Sequence, residues 1–309
     1  MITQPLRIGT RASKLALAQS GLIRDRIAKA LPTGMVSLAQ ITTSGDRIQD
    51  RTLTEIGGKG LFTKEIEDAL LSGRIDCAVH SLKDMPALSP PGLVIAAIPE
   101  REDPRDAFLS VAYDSIEALP RGARLGTASL RRQTQARHRR PDLVIVPLRG
   151  NVDTRLAKLE RGDADAILVA MAGLNRLGLG HLARGCIDPL VSPPAPGQGA
   201  LAIQTREADA DAPWLDGLKH RPTTLAVAAE RAALAVLEGS CRTAIGAFAR
   251  VEGGRLILIV EALTPDGARC FRREGEVEVG DQGGEAAARQ LGMRLGGEVS
   301  AEGGEALLG

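Results

Sequence analysis

Two distant stretches of the chain, "EDALLSGRIDCAVHSLKD" and "LAKLERGDADAILVAMAGLNR", share one construction. Each runs from a helical apolar pattern through a glycine and two residues to an aspartate. An unbroken apolar strand follows and ends in a polar loop. Gly73 and Asp76 of the first correspond to Gly162 and Asp165 of the second. A second echo precedes each copy. "LRIGTRASKLALAQSGLIRDRIAKAL" and "ARLGTASLRRQTQARHRR" both read as a short strand, a Gly-Thr turn, a serine at an N-cap position and a helix. In the first helix Leu15, Ala18, Leu22 and Ile23 recur at helical spacing. The intervening lengths differ, which rules out a tandem array. The pattern predicts two domains of like construction, each an α/β sheet with helices on both faces.

The 309 residues exceed one ordinary core, so two or three domains are expected. Aromatic residues make up only 2%, so Leu, Ile, Val and Ala must fill the cores. Two proline-bearing segments, "ALSPPGLVIAAIPEREDPRDAFLS" and "VSPPAPGQGALAIQTR", suit crossings between the domains. The strand "ALAIQ" of the second can return to the first domain. Two crossings imply a hinge and a cleft, and ligands of open α/β sheets bind at strand C-terminal ends beside helix N-termini. From about Thr223 the pattern changes to a helix, "TLAVAAERAALAVL", and three strands, "AIGAFARV", "RLILIVEAL" and "ARCFRREGEVEV". A last helix near "GEAAARQLGMRLGGEV" completes an α+β domain with an antiparallel sheet. The expected division is 1–100 plus 200–218, then 101–199, then 219–309.

Net charge is +1, without the basic excess of a dedicated nucleic-acid protein, and "LRRQTQARHRR" lacks interleaved aromatics for base stacking. Yet Arg11, Lys83, Arg131, Arg132, Arg149, Arg155 and Arg176 fall at strand ends or helix starts. Any one alone is a surface charge balanced among 38 acidic residues. Seven at equivalent loops of two similar domains point to a cleft for a polyanion, because guanidinium forks grip carboxylates bidentately. In "CAVHSLKDMP" a strand delivers His80, Ser81, Lys83 and Asp84 in a row. An aspartate among cations stays ionised and can stabilise a developing cation or shuttle a proton; the plain alternative is a local cap or salt bridge. His80 reads as a packed or hydrogen-bonding histidine. The polar segment around Lys59 lacks Walker spacing, and reads as a lid over the cleft or an ordinary loop.

The four cysteines, Cys77, Cys186, Cys241 and Cys270, show no CxxC pair or His cluster, so no metal site is expected. In "LEGSCRTAIG" Cys241 stands between small residues after a helix, either an inert thiol or one left accessible for covalent attachment. The opening segment has charges where a signal peptide needs an apolar core, and no stretch reaches membrane-spanning length. A cytoplasmic protein with reduced thiols is expected.

Taken in order, "IGTRASKLALAQ", "GGKGLFTKEIEDALLSGRIDCAVHSLKDMP", "GTASLRRQTQ", "LRGNVDTRL", "AGLNRLG", "PGQGA" and "LEGSCRTAIG" resemble the porphobilinogen deaminase family over almost the whole chain. The resemblance implies two domains like the lobes of type II periplasmic-binding proteins and a third α+β domain with a three-stranded antiparallel sheet. It implies a monomeric enzyme that joins four porphobilinogen units head to tail, losing ammonia, on a dipyrromethane cofactor, and releases hydroxymethylbilane. By the same pattern Cys241 carries the cofactor through a thioether. Lys83, Arg131, Arg132 and Arg155 hold its carboxylates, with Ser81, Thr127 and Ser129 hydrogen-bonding. Arg11, Ser13, Gln19, Arg149 and Arg176 line the substrate side, and Asp84 matches the catalytic aspartate, stabilising an azafulvenium cation at the pyrrole N–H groups. Two departures stand out: Arg242, Thr243 and Ala244 where Gln-Val-Pro is common, and Gln204 where glutamate is frequent. A non-catalytic solute-binding protein, or a carboxylate-handling transferase without a covalent primer, would need no cofactor at Cys241.

Overall fold

The computed structural model describes residues 5–32, 34–44, 63–237 and 244–307. Lys59, Cys241, Arg242 and Thr243 lie outside the described residues. In chain order the described elements are β1 (Leu6–Thr10), α1 (Lys14–Ala28), β2 (Val36–Gln40), α2 (Lys64–Leu71), β3 (Cys77–Ser81), β4 (Leu93–Ala97) and β5 (Asp106–Ser110). There follow β6 (Arg124–Gly126), α3 (Leu130–Arg139), β7 (Val144–Val146), α4 (Val152–Glu160), β8 (Ala166–Ala170), α5 (Met171–Arg176) and β9 (Gly185–Cys186). The chain continues through β10 (Leu201–Arg206), α6 (Arg221–Leu237), β11 (Ala244–Glu252), β12 (Arg255–Leu263), β13 (Cys270–Glu278) and α7 (Gly284–Gly303).

The chain divides into two compact units, Met1–Glu102 with Ala200–Thr224, and Asp103–Gly199 with Leu225–Gly309. The first unit holds a sheet of order β2-β1-β3-β10-β4, and the second holds one of order β7-β6-β8-β5-β9. In the first, β1 is parallel to β2 and β3, while β10 runs antiparallel between β3 and β4. In the second, β6 is parallel to β7 and β8, while β5 runs antiparallel between β8 and β9. The orders superpose strand for strand. As the sequence implied, "ALAIQ" returns to the first sheet, and the fold class is two like α/β sheets followed by an α+β region.

The repeated Gly-x-x-Asp has a physical cause. Gly73 and Gly162 have φ of 71° and 77°, the left-handed geometry that ends a helix. Three residues later the carboxylate turns back onto the neighbouring strand. Asp76 accepts from the backbone N–H of Arg7 at 2.8 Å, and Asp165 from that of Arg124 at 2.7 Å. Both aspartates also pair with the guanidinium of that same arginine, at 3.0 and 2.9 Å. These pairs are half-exposed and worth little as charge alone; what they fix is the register where each sheet begins.

Helix α1 buries Gln19, Ser20, Ile23 and Ile27, whereas Leu22 is exposed. Of the residues at helical spacing, Ile23 is buried, Leu15 and Ala18 are half-buried and only Leu22 is exposed, while Gln19 also faces inward to a hydrogen bond with Ser81. Ser13 is the N-cap, its hydroxyl accepting from Ala16 N–H.

In the second unit β11, β12 and β13 form an antiparallel sheet packed on α6 and α7, with Ala233, Leu258, Val260 and Leu295 in the core. Small residues bring the two helices together: a Cβ on Gly292 would lie 2.1 Å from the Ala229 carbonyl oxygen. Gly297, five residues on and on another face of the helix, has open space. Gly292→Ala is expected to destabilise by about 1–3 kcal/mol through overpacking. Gly297→Ala should stabilise by about 0.5–1 kcal/mol through helix propensity. Thermal denaturation of both variants reads the opposite signs. No helix among the described residues is long and apolar enough to cross a membrane.

Candidate functional site

In the first unit the site residues cluster at the C-terminal ends of β1 and β3. Arg11 and Ser13 follow β1 and lead into α1. Gln19, one turn further, donates from Nε2 to the Ser81 hydroxyl at 2.9 Å, so two of the expected positions touch. After Ser81 a short 3-10 turn, Leu82–Asp84, carries Lys83 and Asp84 outward while Leu82 is fully buried. The Leu82 N–H donates to the Ala200 carbonyl at 3.0 Å and Met85 N–H closes the turn onto Leu82 at 3.1 Å. The Asp84 carboxylate is therefore an exposed group on an anchored turn.

Behind it, His80 is buried and bonds through Nε2 to the Gln204 amide oxygen at 3.0 Å. Burial pushes the His80 imidazole down to about 4, against the weaker opposing effect of that bond, so it stays neutral at pH 7. It is a packed, hydrogen-bonded histidine, as the sequence suggested. Gln204, the departure noted above, supplies the acceptor that a neutral imidazole needs.

In the second unit the equivalent strand end, β6, leads through Thr127 and Ser129 into α3. Thr127 Oγ1 accepts from Ser129 N–H at 3.2 Å. Ser129 occupies the N-cap position without using its hydroxyl to cap, and the first turn of α3 holds no acidic residue. The helix N-terminus therefore keeps its favourable field for an anion. Arg149 and Arg155 flank the start of α4. Arg155 Nε donates to Gly150 carbonyl at 2.9 Å, and Asn151 caps the helix. Arg176, ending α5, donates to the Gly199 carbonyl at 2.7 Å.

Arg131 and Arg132 differ from the others. Each is only 5% exposed, and both guanidiniums close on Asp106, itself 3% exposed. Arg131 Nη1 lies 2.7 Å from Oδ2, and Arg132 Nη2 2.7 Å from Oδ1. Gln135 accepts from Arg131 at 2.8 Å, Leu168 carbonyl accepts from Arg132 at 3.1 Å, and Gln198 donates to Asp106 at 2.9 Å. Burial alone would push the Asp106 carboxyl up; the charges of Arg131 and then Arg132 overcome it and hold the group well below the usual carboxylate range. Removing one partner from such a buried set costs about 3–5 kcal/mol.

The directly bonded set carries two positive charges and one negative. Arg131 Nε is, in addition, a buried donor with no hydrogen-bond partner. A buried cationic surplus with an orphaned N–H fits a carboxylate ligand.

Family models match the chain along nearly its full length: "Porphobilinogen deaminase, dipyromethane cofactor binding domain" over residues 6–213, and "Porphobilinogen deaminase, C-terminal domain" over residues 224–301. The chain belongs to the porphobilinogen deaminase family. A porphobilinogen deaminase of Caulobacter sp. (strain K31) is 66% identical over 315 residues, covering 100% of this chain and 99% of that one. One from Caulobacter vibrioides (strain NA1000 / CB15N) is 67% identical over 314 residues, covering 98% of each. Among solved structures, the methionine binding protein MetQ aligns at 13% identity and TM-score 0.44, over 69% of this chain and 87% of that chain.

As a porphobilinogen deaminase, the chain is a transferase of tetrapyrrole and heme biosynthesis with a dipyrromethane cofactor. It joins four porphobilinogen units head to tail, with loss of ammonia, and releases hydroxymethylbilane. The sequence reading missed Asp106, Gln135 and Gln198, which organise the arginine pair. A lone aspartate opening the apolar strand "DAFLS" was the available signal, since an unpaired carboxylate there could not be buried.

Proposed function

We propose that cofactor binding and substrate binding fall to the residues that the sequence resemblance implies. Lys83, Arg131, Arg132 and Arg155 bind the cofactor's acetate and propionate groups, with the hydroxyls of Ser81, Thr127 and Ser129 donating to them. Arg11, Ser13, Gln19, Arg149 and Arg176 bind and orient porphobilinogen carboxylates. The observation that carries this reading is the Arg131–Arg132–Asp106 set with its surplus positive charge and the orphaned Nε of Arg131.

Bound through Cys241, the cofactor supplies a nucleophilic pyrrole carbon on which the product is built. The chain's own groups do the rest. Asp84 faces the pyrrole N–H groups of the substrate, stabilises positive charge as ammonia leaves, and carries away the proton lost from the ring carbon. The arginines neutralise carboxylates that accumulate with each added ring, a load that point charges in water would screen and forked donors meet directly.

The domain division 1–100 plus 200–218, 101–199 and 219–309 belongs to the same proposal, supported by the separate core beneath the β11–β13 sheet. So do a monomeric state, a cytoplasmic site of action and the absence of a nucleic-acid partner.

Single alanine replacements of Arg11, Arg149, Arg155 and Arg176 test the assignment. Each removes a grip used at some stages of growth and not others, so intact-mass spectra under limiting porphobilinogen should show variants halting at different numbers of added rings. Uniform slowing by all four, without a change in that distribution, would count against separate cofactor and substrate roles.

A further inference from the structure

We propose that Asp106 is the positioning residue of the cofactor site: it fixes the direction in which Arg131 and Arg132 present their remaining donors. The proposal rests on the reading that these two arginines bind cofactor carboxylates.

The geometry is specific. Adjacent residues at the start of α3 project in different directions, yet both guanidiniums meet one carboxylate at the start of β5. Asp106 Oδ1 receives Arg132 Nε at 3.0 Å and Nη2 at 2.7 Å, a side-on grip that fixes the plane of that guanidinium. Oδ2 receives Arg131 Nη1 at 2.7 Å while Oδ1 is 3.3 Å from its Nη2, so this fork is engaged end-on. The end-on mode leaves Nε of Arg131 unpartnered, whereas the side-on mode uses Nε of Arg132. One carboxylate thus orients two arginines unequally and leaves the buried Nε of Arg131 without a partner.

Two amides brace the arrangement. Gln198 donates to Oδ1 of Asp106 at 2.9 Å and to the Pro104 carbonyl at 2.8 Å, holding the acceptor still. Gln135 accepts from Arg131 at 2.8 Å and donates to Glu261 of β12 at 2.8 Å, tying the arginine to the antiparallel sheet. Buried side chains locked by such contacts are how proteins hold a binding group to within a fraction of an ångström.

The test uses apoenzyme of wild type, Asp106→Asn, Asp106→Glu, Arg131→Ala and Arg132→Ala, incubated with hydroxymethylbilane and followed by intact mass. Circular dichroism and Tm are recorded in parallel. Asp106→Asn leaves two guanidiniums without a counter-charge and can fail to fold. Asp106→Glu keeps the charge and moves it by one methylene, so it reads position alone. Expected is a folded Asp106→Glu protein whose cofactor loading is about 10–100-fold slower than wild type, while Asp106→Glu adds no further slowing to a variant already carrying Arg131→Ala and Arg132→Ala. Wild-type loading by folded Asp106→Glu, beside defective loading by the arginine variants, would overturn the role of Asp106 alone. Normal loading by Arg131→Ala and Arg132→Ala would instead overturn the arginine reading beneath it. A defect that adds fully to the arginine changes would assign Asp106 to general stability and overturn the proposal as well.

Discussion

Asp84→Ala is expected to lower kcat by about 10²–10⁴-fold, with a much smaller change in KM. In the role proposed for it the carboxylate acts as ammonia departs and positive charge grows on the substrate's pyrrole, so its loss should appear in the transition state and not in ground-state binding. The turn that carries it is held by buried Leu82 and two backbone hydrogen bonds, which do not involve the Asp84 side chain. The variant should therefore fold normally and retain its Tm. Asp84→Asn, which keeps the shape and removes the charge, should be nearly as impaired as alanine. Steady-state assays of ammonia or product release decide it: wild-type turnover by either variant would remove Asp84 from the chemistry.

Cys241→Ser is expected to abolish turnover and to eliminate a covalent mass equal to two linked pyrrole units. A serine hydroxyl of the same size has no accessible anion near neutral pH, whereas a thiol does. The described cysteines are poor substitutes. Burial pushes the Cys77 thiol up, does the same to Cys186, and takes Cys270 to about 12. None of these can take over the attachment in the variant. Intact mass of wild type beside Cys241→Ser, each incubated with porphobilinogen or hydroxymethylbilane, gives the answer. A bare wild-type mass after that incubation would overturn covalent attachment at Cys241.

The doubled Gly-x-x-Asp, the Gly-Thr turns and the strand "ALAIQ" made the two α/β sheets readable, because helix termination and strand alternation are local properties. The equivalence of Arg7–Asp76 and Arg124–Asp165 was not readable. It depends on which strand lies beside each aspartate, a fact of sheet order. The exposure of Leu22 and the inward position of Gln19 in α1 were not readable for a similar reason: the Ser81 hydroxyl that Gln19 meets belongs to β3, far away in sequence.

Within the site, the chain's own letters determined which residues are available: arginines at strand ends, hydroxyls beside them, one aspartate after β3 and one thiol between small residues. They determined the fold class as well, since periodicity and turn chemistry act over a few residues. Only tertiary structure decided that Arg131 and Arg132 are buried, that Asp106 serves both, and that the buried Nε of Arg131 lacks a partner. Desolvation and pairing are set by what surrounds a charge in space, and a linear sequence carries no record of that distance.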